Sequence, residues 1–215
     1  MSLIIPTILA RDEQEFRKRV AALPAAAPAF HIDVMNGTLV PERSFANPLR
    51  LAKMHLSKKF AVHLMINSPE LTINDWLRCG ATRIIIHAEA TGNLGLALDL
   101  TRHNSREAGL AINPETDIAI IKDFAPFIDY IHVMSVHPGA MGRAFISETI
   151  SRVQALRAAF PNLKIGVDGG VSAKKHTAHE LTVAGADELC VGSAMWNSLA
   201  PLAVYNEIVE DATLK

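Results

Sequence analysis

Eight short apolar runs rich in β-branched residues recur along the chain, and each is followed by a longer segment with helical apolar spacing. No other feature restricts the fold as strongly. The predicted strands are Leu3–Leu9, Phe30–Met35, Phe60–Met65, Thr82–His87, Gly109–Ile112, Asp129–Val136, Leu163–Asp168 and Glu188–Gly192. The predicted helices are Glu13–Leu23, Pro69–Cys79, Leu94–Glu107, Ile118–Phe124, Glu148–Phe160, Ala173–Ala184 and Leu202–Asp211, with a weaker segment over Ser44–Ser57. Strands alternating with helices through short links imply a parallel sheet covered by helices. Eight units evenly spread over 215 residues predict a closed (β/α)8 TIM barrel forming one domain, 1–215, with its chemistry at the C-terminal strand ends. An open doubly wound sheet is the weaker alternative, because the first strand-to-helix turn has no GxGxxG.

Several boundaries carry their own signals. Asp12 with Glu15 reads as a capping box. Ser68-Pro69 reads as a cap followed by proline in the first turn. Gly80 and Gly185 follow predicted helices, where a left-handed residue ends the last turn.

Composition narrows the partners. Lys plus Arg is 21 and Asp plus Glu is 22, a net charge of −1, so no basic surplus points to nucleic acid or an anionic membrane. No apolar run approaches the roughly 18 residues of a membrane span. The first residues lack a basic leader, and the expected location is cytoplasmic. Cys79 and Cys190 lie far apart among apolar neighbours and are expected to be buried, reduced thiols.

The polar residues at strand ends are the informative ones. His31 and Asp33 are two apart on one strand and so face the same way. The next strand ends near His63, and the seventh ends in Asp168-Gly169-Gly170. Two imidazoles and two carboxylates at one barrel mouth suit a borderline divalent ion such as Zn, Fe, Mn or Co. Taken singly, each is as well explained as a satisfied polar core residue. Gly169-Gly170 and Gly192-Ser193, at the last two strand ends, lie where barrels hold phosphate; the plain alternative is tight turns. The loop carrying Gly139, Gly142 and Arg143 could close over a ligand. Met35, Met65 and Met134 crowd the same mouth as soft core filler or as an uncharged wall beside a developing anion. His87 is a candidate partner of a ligand or of substrate. His132 is expected to point inward one layer deeper, in a core or supporting role.

The ordered set Pro6-Thr7-Ile8-Leu9, His31-Ile32-Asp33-Val34-Met35-Asn36-Gly37, Val40-Pro41, His63-Leu64-Met65, His87-Ala88-Glu89-Ala90-Thr91, Gly109-Leu110-Ala111-Ile112-Asn113-Pro114, Val133-Met134, Pro138-Gly139, Asp168-Gly169-Gly170-Val171 and Gly192-Ser193-Ala194 closely resembles ribulose-phosphate 3-epimerases. The resemblance implies a ketose-phosphate epimerase with one catalytic divalent ion per subunit, zinc first and iron, manganese or cobalt as alternatives. It implies metal ligands His31, Asp33, His63 and Asp168, with Asp33 and Asp168 also the two acid–base residues. Thr7 would contact sugar oxygens, and Met35, Met65 and Met134 would wall the enediolate. His63, Gly139, Gly142, Asp168, Gly169, Gly170, Gly192 and Ser193 would line the substrate, with Arg143 a further phosphate or lid contact. Family members are cytoplasmic, usually homodimers or homohexamers, and act on small ketose phosphates.

The chain departs from the family pattern at Asn36, where Asp is usual, at Glu42, at His137, and in the loop Gly139-Ala140-Met141-Gly142-Arg143, usually Gly-Phe-Gly-Gly-Gln. These changes keep an allulose-6-phosphate 3-epimerase in view. A barrel that binds phosphosugar without turnover is the alternative of another class. The decarboxylase and hexulose-phosphate synthase branch needs Asp-x-Lys, and Asp33-Val34-Met35 has no lysine.

Overall fold

Successive side chains on a strand point to opposite faces, so a strand covered by helices outside and packed inside must be apolar on one face and fitted to the barrel interior on the other. The computed structural model describes residues 1–139 and 142–214 and shows this arrangement. Its strands are β1 Leu3–Ile8, β2 Phe30–Met35, β3 Phe60–Met65, β4 Arg83–His87, β5 Glu107–Ile112, β6 Tyr130–Met134, β7 Lys164–Asp168 and β8 Glu188–Val191. All pair in parallel and in chain order, and β1 closes on β8 through Leu3 opposite Glu188. The outward residues, among them Ile32, Val34, Val62, Leu64, Ile131 and Val167, join the large apolar core beneath the helices.

The helices are α1 Glu13–Ala21, α2 Pro48–Ala52, α3 Ile73–Cys79, α4 Leu94–His103, α5 Ile121–Phe124, α6 Thr149–Ala159, α7 Thr177–Ala184, α8 Ser193–Trp196 and α9 Pro201–Ala212. None of them is long and apolar enough to cross a membrane. The Ser44–Ser57 segment shrinks to α2, capped by Asn47. The predicted helix over Leu94–Glu107 stops at His103, because Glu107 opens β5 and binds Arg83 and Lys164 across the strand ends.

Capping is borne out only in part. Asp12 accepts the Glu15 N–H at 2.8 Å, but the Glu15 carboxylate returns to the Arg11 N–H, one residue short of a reciprocal box. Ser68 is not a side-chain cap; it sits at φ +50°, and a 3-10 turn, Pro69–Leu71, separates it from α3. Gly80 and Gly185 do end α3 and α7 in left-handed conformations. Both cysteines are free thiols, pushed up to about 11 by burial. Cys190 is buried, whereas Cys79, the last residue of α3, is only half-buried at the edge of the apolar core.

The barrel interior is layered. At its N-terminal floor Arg83 donates two hydrogen bonds to Glu188, at 2.6 and 2.9 Å, and one to Glu107 at 2.8 Å. Its guanidinium lies 3.8 Å over the Tyr130 ring. Ala61, Ile85, Ala111 and Tyr130 fill the middle layer. Gly166 is the only residue that suits its place there, since a Cβ on it would collide with the Tyr130 hydroxyl. Above this plug lie the imidazoles and carboxylates, and Met35 and Met65 pack with Val40 at the mouth.

Candidate metal centre

Strand register explains how distant residues converge. Asp33 lies opposite His63 across β2 and β3, while Asp168 lies opposite Met134 on β6 and Cys190 on β8. β2 and β7 are separated by β8 and β1 around the barrel, so their carboxylates approach from different sides. His31 Nε2 is 3.2 Å from Asp33 Oδ1 and 4.0 Å from Asp168 Oδ2. His63 Nδ1 is 3.1 Å and 3.8 Å from the same two atoms. Two imidazole nitrogens are thus bracketed by two carboxylates, and all four residues are buried.

Buried and packed this closely, these groups shift one another's protonation. Burial raises the Asp168 carboxyl, the Asp33 charge raises it further, and it is pushed up to about 7. Burial would raise Asp33 too, but the His31 imidazole beside it outweighs this and holds Asp33 well below the usual carboxylate range. Burial brings His63 down to about 4. Burial also opposes the charged form of His31, yet Cys190 and Asp33 beside it prevail and raise it.

The donor set fits a divalent ion. Among the described residues the fully buried His31 Nε2 has no hydrogen-bond partner, although Asp33 Oδ1 lies 3.2 Å away. A buried polar atom without a partner is costly, and an ion between the rings and carboxylates would satisfy it.

His132 is closer to this group than the sequence predicts. Its Nε2 lies 3.3 Å from Asp168 Oδ2, its ring stacks on His31 with centroids 5.1 Å apart, and its Nδ1 is 3.4 Å from the Tyr130 hydroxyl. His31, His63, His132 and Asp168 each place a ligand atom within 4.8 Å of the others. The ring reaches upward from its layer rather than across it, which strand parity alone does not reveal. The only sequence signal was that His132 shares parity with Met134.

His87 is fully buried with Nε2 2.8 Å from His63 Nε2 and Nδ1 2.9 Å from Glu89 Oε2. Burial would raise Glu89, but the bonds from His87, Asn113 and Thr116 prevail and hold it at about 2.

Above the carboxylates a cavity of about 60 Å³ is lined by Thr7, Asp33, Met35, Met65, Met134, Gly139, Gly142, Arg143, Asp168, Gly169, Gly170, Gly192 and Ser193. His31 and His63 lie beneath it. The Thr7 hydroxyl at its wall is buried and has no hydrogen-bond partner among the described residues. Arg143 leans to Glu42 at 3.6 Å, and His137 pairs with Glu115 at 3.0 Å. Asn36 is exposed and accepts two hydrogen bonds from Thr38, so it serves its own turn and does not line the cavity. Ala140 and Met141 lie outside the described residues.

The chain matches the ribulose-phosphate 3 epimerase family over residues 3–196. It is 35% identical over 199 residues to the ribulose-phosphate 3-epimerase of Chlamydia trachomatis, covering 89% of this chain and 84% of that one. It is 34% identical over 207 residues to the enzyme of that name from Mycobacterium leprae, covering 94% and 91%. Against the enzyme of that name from Escherichia coli K12 it is 32% identical over 203 residues, covering 91% and 89%. The solved 3-hexulose-6-phosphate synthase of Salmonella typhimurium has the same fold, with a TM-score of 0.74 at 15% identity over 99% of this chain and 98% of that one. With the family's pattern matched from the first strand to the last and a donor set gathered at its mouth, this chain belongs to the ribulose-phosphate 3-epimerase family.

Proposed function

We propose that the protein interconverts D-ribulose 5-phosphate and D-xylulose 5-phosphate by moving a proton at C3. The observation that carries this reading is the pair Asp33 and Asp168, brought from β2 and β7 to the same two imidazole nitrogens at the floor of one cavity. Epimerisation removes the C3 proton from one face and returns a proton to the other, so it needs one acid–base group on each side. One Asp takes the proton, the electron pair passes to the C2 carbonyl oxygen to give a cis-enediolate, and the other Asp delivers a proton to the opposite face. Direction of reaction decides which of the two acts as base.

His31, Asp33, His63 and Asp168 would hold the divalent ion, with zinc the first candidate and iron, manganese or cobalt the others. Bound there, it would polarise the C2 carbonyl and offset charge on the enediolate. Met35, Met65 and Met134 keep free water from the intermediate, and Thr7 offers its unpartnered hydroxyl to a sugar oxygen. Gly169, Gly170, Gly192 and Ser193 line the part of the cavity assigned to the phosphate, and binding there orients the sugar. The cytoplasm, where phosphorylated sugars are kept, is the assigned compartment, and a homodimer or homohexamer is the assigned assembly.

Incubation with ribulose 5-phosphate in D2O, followed by proton NMR, tests this reading. The expected result is xylulose 5-phosphate together with loss of the C3 proton signal. Neither exchange nor product from zinc-loaded protein would overturn it, and turnover of allulose 6-phosphate alone would move the assignment to the six-carbon ketose.

The ligand set makes its own prediction. Asp168 favours its protonated form below about pH 7, and His31 is raised as well, so a cation must displace protons to bind. Affinity therefore weakens on acidification, by about tenfold per pH unit for each proton displaced. Zinc competition with a chelator between pH 7.5 and 5.5 checks this; a flat affinity would remove Asp168 and His31 from the ligand set.

A further inference from the structure

We propose that Glu89, acting through His87, holds His63 in the tautomer whose Nδ1 is free to bind a cation, making Glu89 and His87 positioning residues of the metal centre. This rests on the reading above that His63 is a metal ligand.

The assignment follows from proton bookkeeping along a buried chain. An ionised carboxylate only accepts, so the 2.9 Å contact between Glu89 Oε2 and His87 Nδ1 requires the proton on Nδ1. A neutral imidazole has one N–H, and in His87 that N–H is the one directed at Glu89. His87 Nε2 is therefore an acceptor. It lies 2.8 Å from His63 Nε2, which must then be the N–H that donates. His63 Nδ1 is left as a bare lone pair, and 3.1 Å away it meets Asp33 Oδ1, another acceptor. Two acceptors facing one another at that distance, with no proton between them, are reconciled by a cation.

The far end of the chain is anchored. Glu89 Oε1 accepts the Asn113 N–H at 2.8 Å and the Thr116 hydroxyl, so both carboxylate oxygens are engaged and the group cannot turn. His87 and Glu89 do not line the substrate cavity, so their action on the reaction passes through His63.

Glu89→Gln provides the test, because it keeps the shape and reverses the chain. The Asn113 N–H and the Thr116 hydroxyl would claim the amide oxygen, turning the amide N–H toward His87 Nδ1. His87 would then carry its proton on Nε2, and His63 would carry its own on Nδ1, where the cation should sit. Zinc affinity, read by chelator competition, is expected to fall by about 10- to 100-fold. Nitrogen-15 NMR of the zinc-free proteins is expected to show His63 protonated on Nε2 in the parent and on Nδ1 in E89Q. A parent protein with His63 protonated on Nδ1 would overturn the proposal without recourse to any variant. Tight zinc binding unchanged by E89Q, with the tautomer also unchanged, would overturn the relay and leave the metal reading standing. A parent that binds no zinc would overturn both.

Discussion

Replacing Asp168 by Asn is expected to lower kcat for epimerisation by about 10²- to 10⁴-fold, the usual contribution of a positioned acid–base group. Asp33→Asn should do the same. The two variants are distinguishable by what survives. With one carboxylate left, only the C3 proton on its own face can be exchanged, and no proton arrives from the other side. Each zinc-saturated variant should therefore wash deuterium into one epimer alone, and the two variants should choose opposite epimers. Proton NMR in D2O with each pure epimer reads this directly. If either variant retains epimerisation within tenfold of the parent, the two-carboxylate mechanism is wrong. Exchange of the same epimer by both would show that Asp33 and Asp168 serve one face.

A second large effect lies at the opposite end of the barrel. Arg83 is buried between Glu188, Glu107 and the face of Tyr130. Arg83→Met removes the cation and leaves the buried Glu188 carboxylate uncompensated, a change that costs about 3–5 kcal/mol in buried ion pairs. For a chain of this length that corresponds to a fall of roughly 6–20 °C in Tm. Adding Glu188→Leu removes the stranded charge as well, and the double variant should recover most of the loss, since apolar replacements of buried pairs are often close to neutral. Calorimetry on the two single variants and the double variant supplies the cycle. The floor touches neither the cavity nor the imidazoles' coordinating nitrogens, so kcat measured well below the melting range should stay near the parent value. A single variant as stable as the parent would show that water reaches Glu188 and that the floor is not a dry ion pair.

Legibility in the sequence differed from element to element. The limits of β2 and β3 agree with the expectation to the residue, because both are unbroken apolar runs whose inward positions are interrupted only by His31, Asp33 and His63. The helix ends were less legible. Ser68 and Pro69 satisfy a local rule, but the bond from the Ser68 N–H to the Thr91 carbonyl holds Ser68 in a turn outside any helix. The floor carried no clear local signal. Arg83, Glu107 and Glu188 are ordinary surface residue types, each opening a different strand, and only barrel closure buries them together.

The sequence by itself determined the barrel, through eight repeats of one unit, and determined which strand residues face inward, through a period of two. His31 with Asp33, and His63 and Asp168 at their strand ends, were legible for that reason. The tertiary structure alone decided the heights and orientations at which inward residues meet. Those depend on the stagger between neighbouring strands and on the ring rotamers that neighbours permit. His132 shows the difference: its parity was readable, but its approach to Asp168 was not. His87 and Glu89 show it again, since which nitrogen faces the carboxylate, and hence where each proton sits, depends on ring orientations that no spacing encodes.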